Sequence, residues 1–365
     1  MKESAAFAPG RIEVLGNHTD YNYGYVLSCA IPLGITIQGS VTELNECSVR
    51  SEAFDGRETR KLPGPWKPRP RHWTNYPFGV IEVLLEEGVA VPGFEATFES
   101  TLPSGAGMSS SAALEISTAM FALACANVNW DPLRIARACR RAENVYAGVN
   151  CGLLDQLTSV AGKPDRLVSI DFKDESFSTI EFPAECCFLV FASGVPHNLV
   201  GGEYNERREQ CNDAATTLGV SSLREATREM LVKNREALSG LSFRRAMHVV
   251  GENERVLKAI AALKSNDPES LGRLMYESHQ SSIENFENST QYLDLLVSIA
   301  RRTKGIYGAR LTGGGFGGAI VALCEKSMAA DASEQISRQY GADSGNPTYG
   351  LLVAPWGGAH MLSDQ

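Results

Sequence analysis

Residues 24–41, GYVLSCAIPLGITIQGSV, are apolar, rich in β-branched side chains and bounded by glycine, a pattern that predicts strands. FEATFES at 94–100 alternates apolar and polar positions and predicts one more strand. Between them, LPGPWKPRPRH (62–72) carries four prolines and reads as a loop, and residues 76–88 have a helical spacing. From Ser109 to about Asn127, alanines and larger apolar residues predict a buried helix. Asp131-Pro132 is an N-cap and first-turn pair, and the helix it opens should end near Gly148. RLVSIDF (166–172) and CCFLVFAS (186–193) predict strands. The chain then reads as mostly helical from 203 to 304 and returns to strand over 306–324, interrupted by TGGGFGG. No internal repeat or low-complexity segment breaks this order. The class is α+β, with a soft boundary near 175–185 that gives domains at 1–178 and 179–365.

Composition narrows the function. The chain has 365 residues, 43% hydrophobic and 21% charged, enough for two globular domains with real cores. A net charge of −9 argues against general nucleic-acid binding and gives no polybasic membrane patch, so an anionic ligand must be held by local features. The nine cysteines are scattered, with no C-x-x-C and no metal-ligand spacing, which fits reduced thiols in a cytoplasmic protein. MKESAAFAPGR lacks the apolar core of a signal peptide, and no apolar run reaches a membrane-spanning length.

Chemistry concentrates in LPSGAGMSSSAALE (102–115). A strand end at Leu102-Pro103 is followed by small residues and then a helix. Gly105, Ala106 and Gly107 let backbone N–H groups approach an anion, and the helix start adds its positive end. Met108 sits in the same turn. Ser109, Ser110 and Ser111 offer hydroxyls to phosphate oxygens or to a magnesium ion. There is no lysine, so this is not the common P-loop pattern.

Two more segments, APGRIEVLGNHTDYNYGY (8–25) and YGARLTGGGFGGAIVAL (307–323), complete a three-motif set. Together they resemble the GHMP small-molecule kinase superfamily and, within it, the galactokinase family. WTNYPFGVIEVL, RRAENVYAGVNCGLLDQLTSVAG, GEYNERREQCNDA and HVVGENERV extend the likeness along nearly the whole chain. The resemblance implies a two-domain α+β fold with the active site in the interdomain cleft. It implies transfer of the γ-phosphoryl of ATP, with Mg2+, to the C1 hydroxyl of galactose, by a monomer or dimer with no nucleic-acid or membrane partner.

The resemblance also assigns roles. Asp155 of GLLDQ is the catalytic carboxylate, with Arg11 beside it. A sugar hydroxyl is a poor nucleophile, and a placed carboxylate can accept or orient its proton, while Arg11 can keep Asp155 ionised and stabilise transferring charge. Asp20 should hold sugar hydroxyls, with His18, Gly152 and Tyr204 nearby, and Ser111 and Glu143 should meet the metal. The family's usual first motif has Asn where this chain has Glu13, and Glu where it has Asn17. Four apart and swapped in type, the two could compensate each other. Asn17 would face the sugar's O6 end, either replacing the carboxylate in a galactokinase or admitting the C6 carboxylate of galacturonate. A kinase for N-acetylated hexosamines and a non-catalytic sugar sensor are the other readings. Arg207 and Arg208 read as helix-surface charges, although one could approach phosphate, and His197, His248 and His279 read as structural.

Overall fold

The computed structural model describes residues 3–103, 107–195 and 202–362. The first sheet is built from β1 (Glu3–Leu15), β2 (Tyr25–Val41), β3 (Glu46–Ser51), β4 (Phe54–Lys61), β5 (Phe94–Ser100), β6 (Arg166–Asp171) and β7 (Ser176–Glu181). The second is β8 (Cys186–Ala192), β9 (Ile306–Thr312), β10 (Ala319–Glu325) and β11 (Gly350–Val353); β12 (His360–Leu362) returns to pair with β1. The first sheet runs β12-β1-β2-β5-β3-β4, with the β6–β7 hairpin branching from β2. The second runs β11-β8-β10-β9 and is antiparallel throughout.

The long β2 organises the first half. It pairs with β1 between Leu27 and Ser40, while its other edge pairs with β6 over Tyr25–Ser28 and with β5 over Ile35–Val41. β1 was not legible as a strand because Pro9-Gly10 interrupts it. The structure keeps the strand by shifting register between Pro9 and Arg11, a bulge that re-aims the following side chains. Gly10 is required there: a Cβ would lie 2.6 Å from the Met108 carbonyl oxygen, which instead accepts the Arg11 N–H at 3.2 Å. The bulge thus brings the strand against the small-residue turn.

α1 (Asn75–Glu86), α2 (Ser110–Cys125), α3 (Pro132–Ala142) and α4 (Leu154–Ala161) pack beside the first sheet, α2 directly on β1 and β2. The Asp131 side chain caps α3 by accepting from Arg134 N–H at 3.0 Å; a π-helical turn, Glu143–Ala147, then continues the helix to Gly148 in a left-handed conformation. The second half adds α5 (Glu203–Leu218), α6 (Arg228–Lys233), α7 (Gly240–Lys264), α8 (Pro268–Ser281), α9 (Gln291–Arg302) and α10 (Ala329–Ser344). One apolar core is continuous from β1, β2 and α2 to Phe188 and Val321 of the second sheet, and a further core fills the space between that sheet and α9 and α10.

The α+β, two-part organisation is as expected. The change of sheet falls between Glu181 and Cys186, because β7 hydrogen-bonds to β6; a boundary at 178/179 would cut through β7. The terminal β12 also belongs with the first sheet. All nine cysteines are free. Among the described residues no helix is long and apolar enough to cross a membrane.

Candidate active site

A cavity of about 650 Å³ lies where β1, the start of α2, the 148–155 segment, α5 and the β9–β10 loop converge. Its lining takes in Arg11, Asn17, His18, Asp20, Gly107, Met108, Ser109, Ser110, Ser111, Glu143, Gly152, Asp155 and Tyr204. The residues singled out in five separate segments therefore meet around one space. Gly105 and Ala106 lie outside the described residues, as does His197.

Asp155 opens α4 and is gripped from two sides. Arg11 donates from Nε to Oδ1 at 2.7 Å and from Nη2 to Oδ2 at 3.0 Å, and Ser109 Oγ donates to Oδ2 at 2.6 Å. The third Arg11 donor, Nη1, goes to the Gly107 carbonyl at 2.8 Å. A bidentate guanidinium fixes both the position and the plane of a carboxylate. Arg11 therefore joins Asp155 to the small-residue turn.

Ser109 sits in the left-handed region (φ 59°) as N-cap of the sixteen-residue α2, yet its side chain makes no capping hydrogen bond. Its hydroxyl is turned to Asp155 instead, and the start of a helix is where first-turn N–H groups can receive an anion. Ser111, in the first turn of α2, lies close enough to Glu143 to stabilise its charged form. Burial raises the Glu143 pKa, opposed by hydrogen bonds from Cys151, Ser111 and Gln156. Gln156 Nε2 donates to Glu143 Oε2 at 2.7 Å and to Glu115 Oε2 at 3.0 Å. Glu115 is fully buried and its pKa is pushed well up by desolvation, then by Glu143. Neither Glu115 nor Gln156 was singled out beforehand. The available signal was an acid four residues after Ser111 on an alanine-rich buried face, the helical spacing that stacks side chains.

On the opposite wall, Asp20 starts a short 3-10 turn (Asp20–Asn22). Burial raises its pKa to about 7, with Glu13 and Asp155 adding repulsion. Gly152 lies directly against it: any Cβ there would be driven into Asp20 Oδ2, with Cγ at 3.2 Å. His18, at φ 60°, is buried and has both ring nitrogens engaged, Nε2 with the Gly314 carbonyl at 3.0 Å and Nδ1 with Tyr21 Oη at 3.0 Å. A carbonyl only accepts, so the proton is on Nε2 and Tyr21 donates to Nδ1. Desolvation holds this imidazole neutral, with its pKa down at about 3. The ring packs against Phe286 and Tyr204 at centroid distances of 4.5 and 5.2 Å.

Asn17 is 1% exposed. Its Nδ2 donates to Glu13 Oε1 at 3.0 Å and to the Gly313 carbonyl at 2.7 Å, and its Oδ1 accepts from Asn288 Nδ2 at 2.8 Å. The swapped pair is thus in direct contact. α7 braces the turn from below. Glu252 Oε2 accepts the N–H groups of Gly16 and Asn17 at 2.9 and 3.2 Å, and His248 Nε2 bonds the Asn17 carbonyl at 3.2 Å. Burial alone would raise Glu252, but Arg255, His248 and Arg310 overcome it and hold its pKa at about 2. His248 and His279 are buried and hydrogen-bonded, as structural residues should be. Arg207 is a correction: it is buried rather than a surface charge, because it donates to the Phe286 and Glu287 carbonyls at 2.8 and 3.1 Å and lies over the Phe316 ring.

Three family models match the chain: "Galactokinase galactose-binding signature" over residues 2–41, "GHMP kinases N terminal domain" over 75–163 and "GHMP kinases C terminal" over 259–342. A galactokinase of Bos taurus is 40% identical, covering 93% of this chain and 88% of the relative. One from Actinobacillus pleuropneumoniae is 36% identical, covering 98% and 94%. The crystal structure of Lactococcus lactis galactokinase complexed with galactose superposes with a TM-score of 0.94 at 28% identity, over 99% of this chain and 95% of that one. Methanococcus jannaschii mevalonate kinase shares the fold, with a TM-score of 0.68 at 18% identity over 99% of each chain.

Proposed function

The chain belongs to the galactokinase family of the GHMP kinases, and from that premise we propose that this cavity moves the γ-phosphoryl group of ATP onto the C1 hydroxyl of galactose. The observation that carries the assignment of roles is the Arg11–Asp155–Ser109 cluster, set between an uncapped helix start and a wall of sugar-type hydrogen-bonding groups. Asp155 takes or orients the C1 proton, as a carboxylate within hydrogen-bond reach can. Arg11 fixes that carboxylate and stands beside the charge that develops on the moving group. The first turn of α2 receives the phosphates through backbone N–H groups, with Ser109 and Ser110 at its mouth.

Glu143 and Ser111 would hold the magnesium ion that travels with ATP. They supply hard oxygen donors, and a buried carboxylate with a raised pKa is one that a cation would return to its charged form. The bound ion supplies charge neutralisation on the β- and γ-phosphates. Gln156 and Cys151 keep Glu143 in place. Asp20 accepts from sugar hydroxyls, Gly152 leaves room for its carboxylate, and Tyr204 with His18 forms the apolar floor. The direct test is coupled ADP release by purified protein over a hexose panel, with NMR of the product. Galactose-dependent ADP and phosphate on C1 are expected; no sugar-dependent ADP with any hexose would instead favour a binding protein.

A further inference from the structure

A buried polar chain, Arg310–Glu13–Asn17–Asn288, crosses the cleft under the sugar wall. Arg310 is fully buried on β9 and donates from Nη1 to Glu13 Oε1 at 3.0 Å and to the Val14 carbonyl at 3.3 Å. Asn17 uses both amide hydrogens and its oxygen on Glu13, Gly313 and Asn288. Its group is engaged within the protein. Glu13 is different: Oε1 is doubly hydrogen-bonded, but Oε2 has no partner among the described residues, and the side chain lines the cavity. Its charge reaches Asp20, whose proton it helps retain.

The strand fixes where this oxygen stands. Arg11 and Glu13 follow each other on one face of β1, in regular register opposite Ala30 and Ser28. Residues two apart on a strand are separated by roughly 6.6–6.8 Å. Arg11 is tied to Asp155, and Glu13 lines the same cavity two residues further along the strand, so a hexopyranose with C1 at Asp155 lies within reach of Glu13. Arg310 is fully buried with Nη1 on Glu13 Oε1, whereas Glu13 itself lines the cavity, so an incoming carboxylate meets Glu13.

We propose that Glu13, and not Asn17, sets sugar specificity at the C6 end: Oε2 accepts from a neutral hydroxymethyl group and repels a C6 carboxylate. Asn17 is spent on contacts within the protein, while Arg310 keeps hold of Glu13 Oε1. This deepens the galactokinase reading and rests on it. The two exchanged side chains then leave one carboxylate in the pocket, supplied from β1 rather than from the turn.

The test compares kcat/KM for galactose, 6-deoxygalactose and galacturonate in the wild type, Glu13→Gln and Asn17→Ser, with Tm measured alongside. The wild type prefers galactose over 6-deoxygalactose by roughly 10- to 150-fold, the value of a hydrogen bond to a charged acceptor, and does not turn over galacturonate. Glu13→Gln shrinks the first ratio at least tenfold and allows galacturonate to bind as substrate or competitive inhibitor. Asn17→Ser lowers Tm while keeping the galactose to 6-deoxygalactose ratio within about threefold. Equal use of galactose and 6-deoxygalactose by the wild type overturns the proposal. So do unchanged ratios in Glu13→Gln, or a ratio that collapses in Asn17→Ser alone. Should Glu13→Gln fail to fold, the wild-type comparison and Asn17→Ser decide. Galactose turnover indifferent to C6 removes only Glu13's role, whereas no turnover of any hexose removes the kinase reading beneath it.

Discussion

Replacing Asp155 by asparagine keeps the side chain's shape and removes its charge. The magnitude has two parts. Arg11 is 8% exposed at its side chain and loses a bidentate partner that is 27% exposed. A fully buried pair broken from one side costs about 3–5 kcal/mol and an exposed one about 0–1. This half-sheltered pair falls between, at about 2 kcal/mol, which lowers Tm by several degrees. The chemical part is larger, because a positioned proton acceptor is worth about 10²- to 10⁴-fold in rate. Coupled ADP release under saturating substrates should therefore show kcat reduced at least ~100-fold, while galactose Kd by calorimetry stays within about tenfold. A folded variant that retains kcat within tenfold of wild type would refute the assignment of the chemistry to Asp155. Complete loss of galactose binding with intact folding would recast Asp155 as a sugar-holding group.

Other outcomes follow from the same geometry. Gly152→Ala pushes a methyl group into the Asp20 carboxylate, so galactose KM should rise at least ~10-fold with a nucleotide KM near wild type; an unchanged galactose KM would remove Asp20 from the sugar wall. Asp20 has its pKa raised to about 7, chiefly by burial. Its protonated form is therefore favoured in the folded state, and its contribution to stability is present at low pH and lost as pH rises from about 4 through 7. Sugar binding needs the ionised acceptor, so galactose affinity should weaken by up to about tenfold per unit below pH 7. A flat affinity profile between pH 5 and 8 in the wild type, or a pH dependence that persists in Asp20→Asn, would contradict this. Glu115 is buried with its pKa pushed well up, so Glu115→Gln should keep Tm within a few degrees of wild type. Glu115→Ala should cost about 2–3 kcal/mol, from a cavity and one unpaired Gln156 N–H; equal damage by both would show that Glu115 carries charge.

The elements visible in the sequence were those with local punctuation. Asp131-Pro132 announced α3, Gly148 ended its π-helical extension, and TGGGFGG separated two strands that the structure pairs as β9 and β10. β1 was hidden because Pro9-Gly10 reads as a strand breaker, and only the register shift against β2 makes it tolerable. Arg207 was misread because helix spacing cannot show that the carbonyls at the end of the Ser282–Phe286 π turn need its donors. The candidate site was legible as motifs. Its wiring was not, since Arg11 to Asp155 and Glu13 to Arg310 join residues 144 and 297 positions apart. Chain spacing also left open whether Glu13 and Asn17 compensate each other. Their 3.0 Å contact shows they form one unit, with the carboxylate on the strand.

The central claim is that the start of α2 takes the nucleotide's terminal phosphates while Asp155 faces the sugar's anomeric oxygen. The measurement that tests it most directly is a crystal structure with galactose and a non-hydrolysable ATP analogue bound together. The account predicts the C1 oxygen within about 3.2 Å of the Asp155 carboxylate and the terminal phosphate against the N–H groups that open α2. A galactose turned with C1 away from Asp155, or a nucleotide lodged outside this cavity, would contradict it.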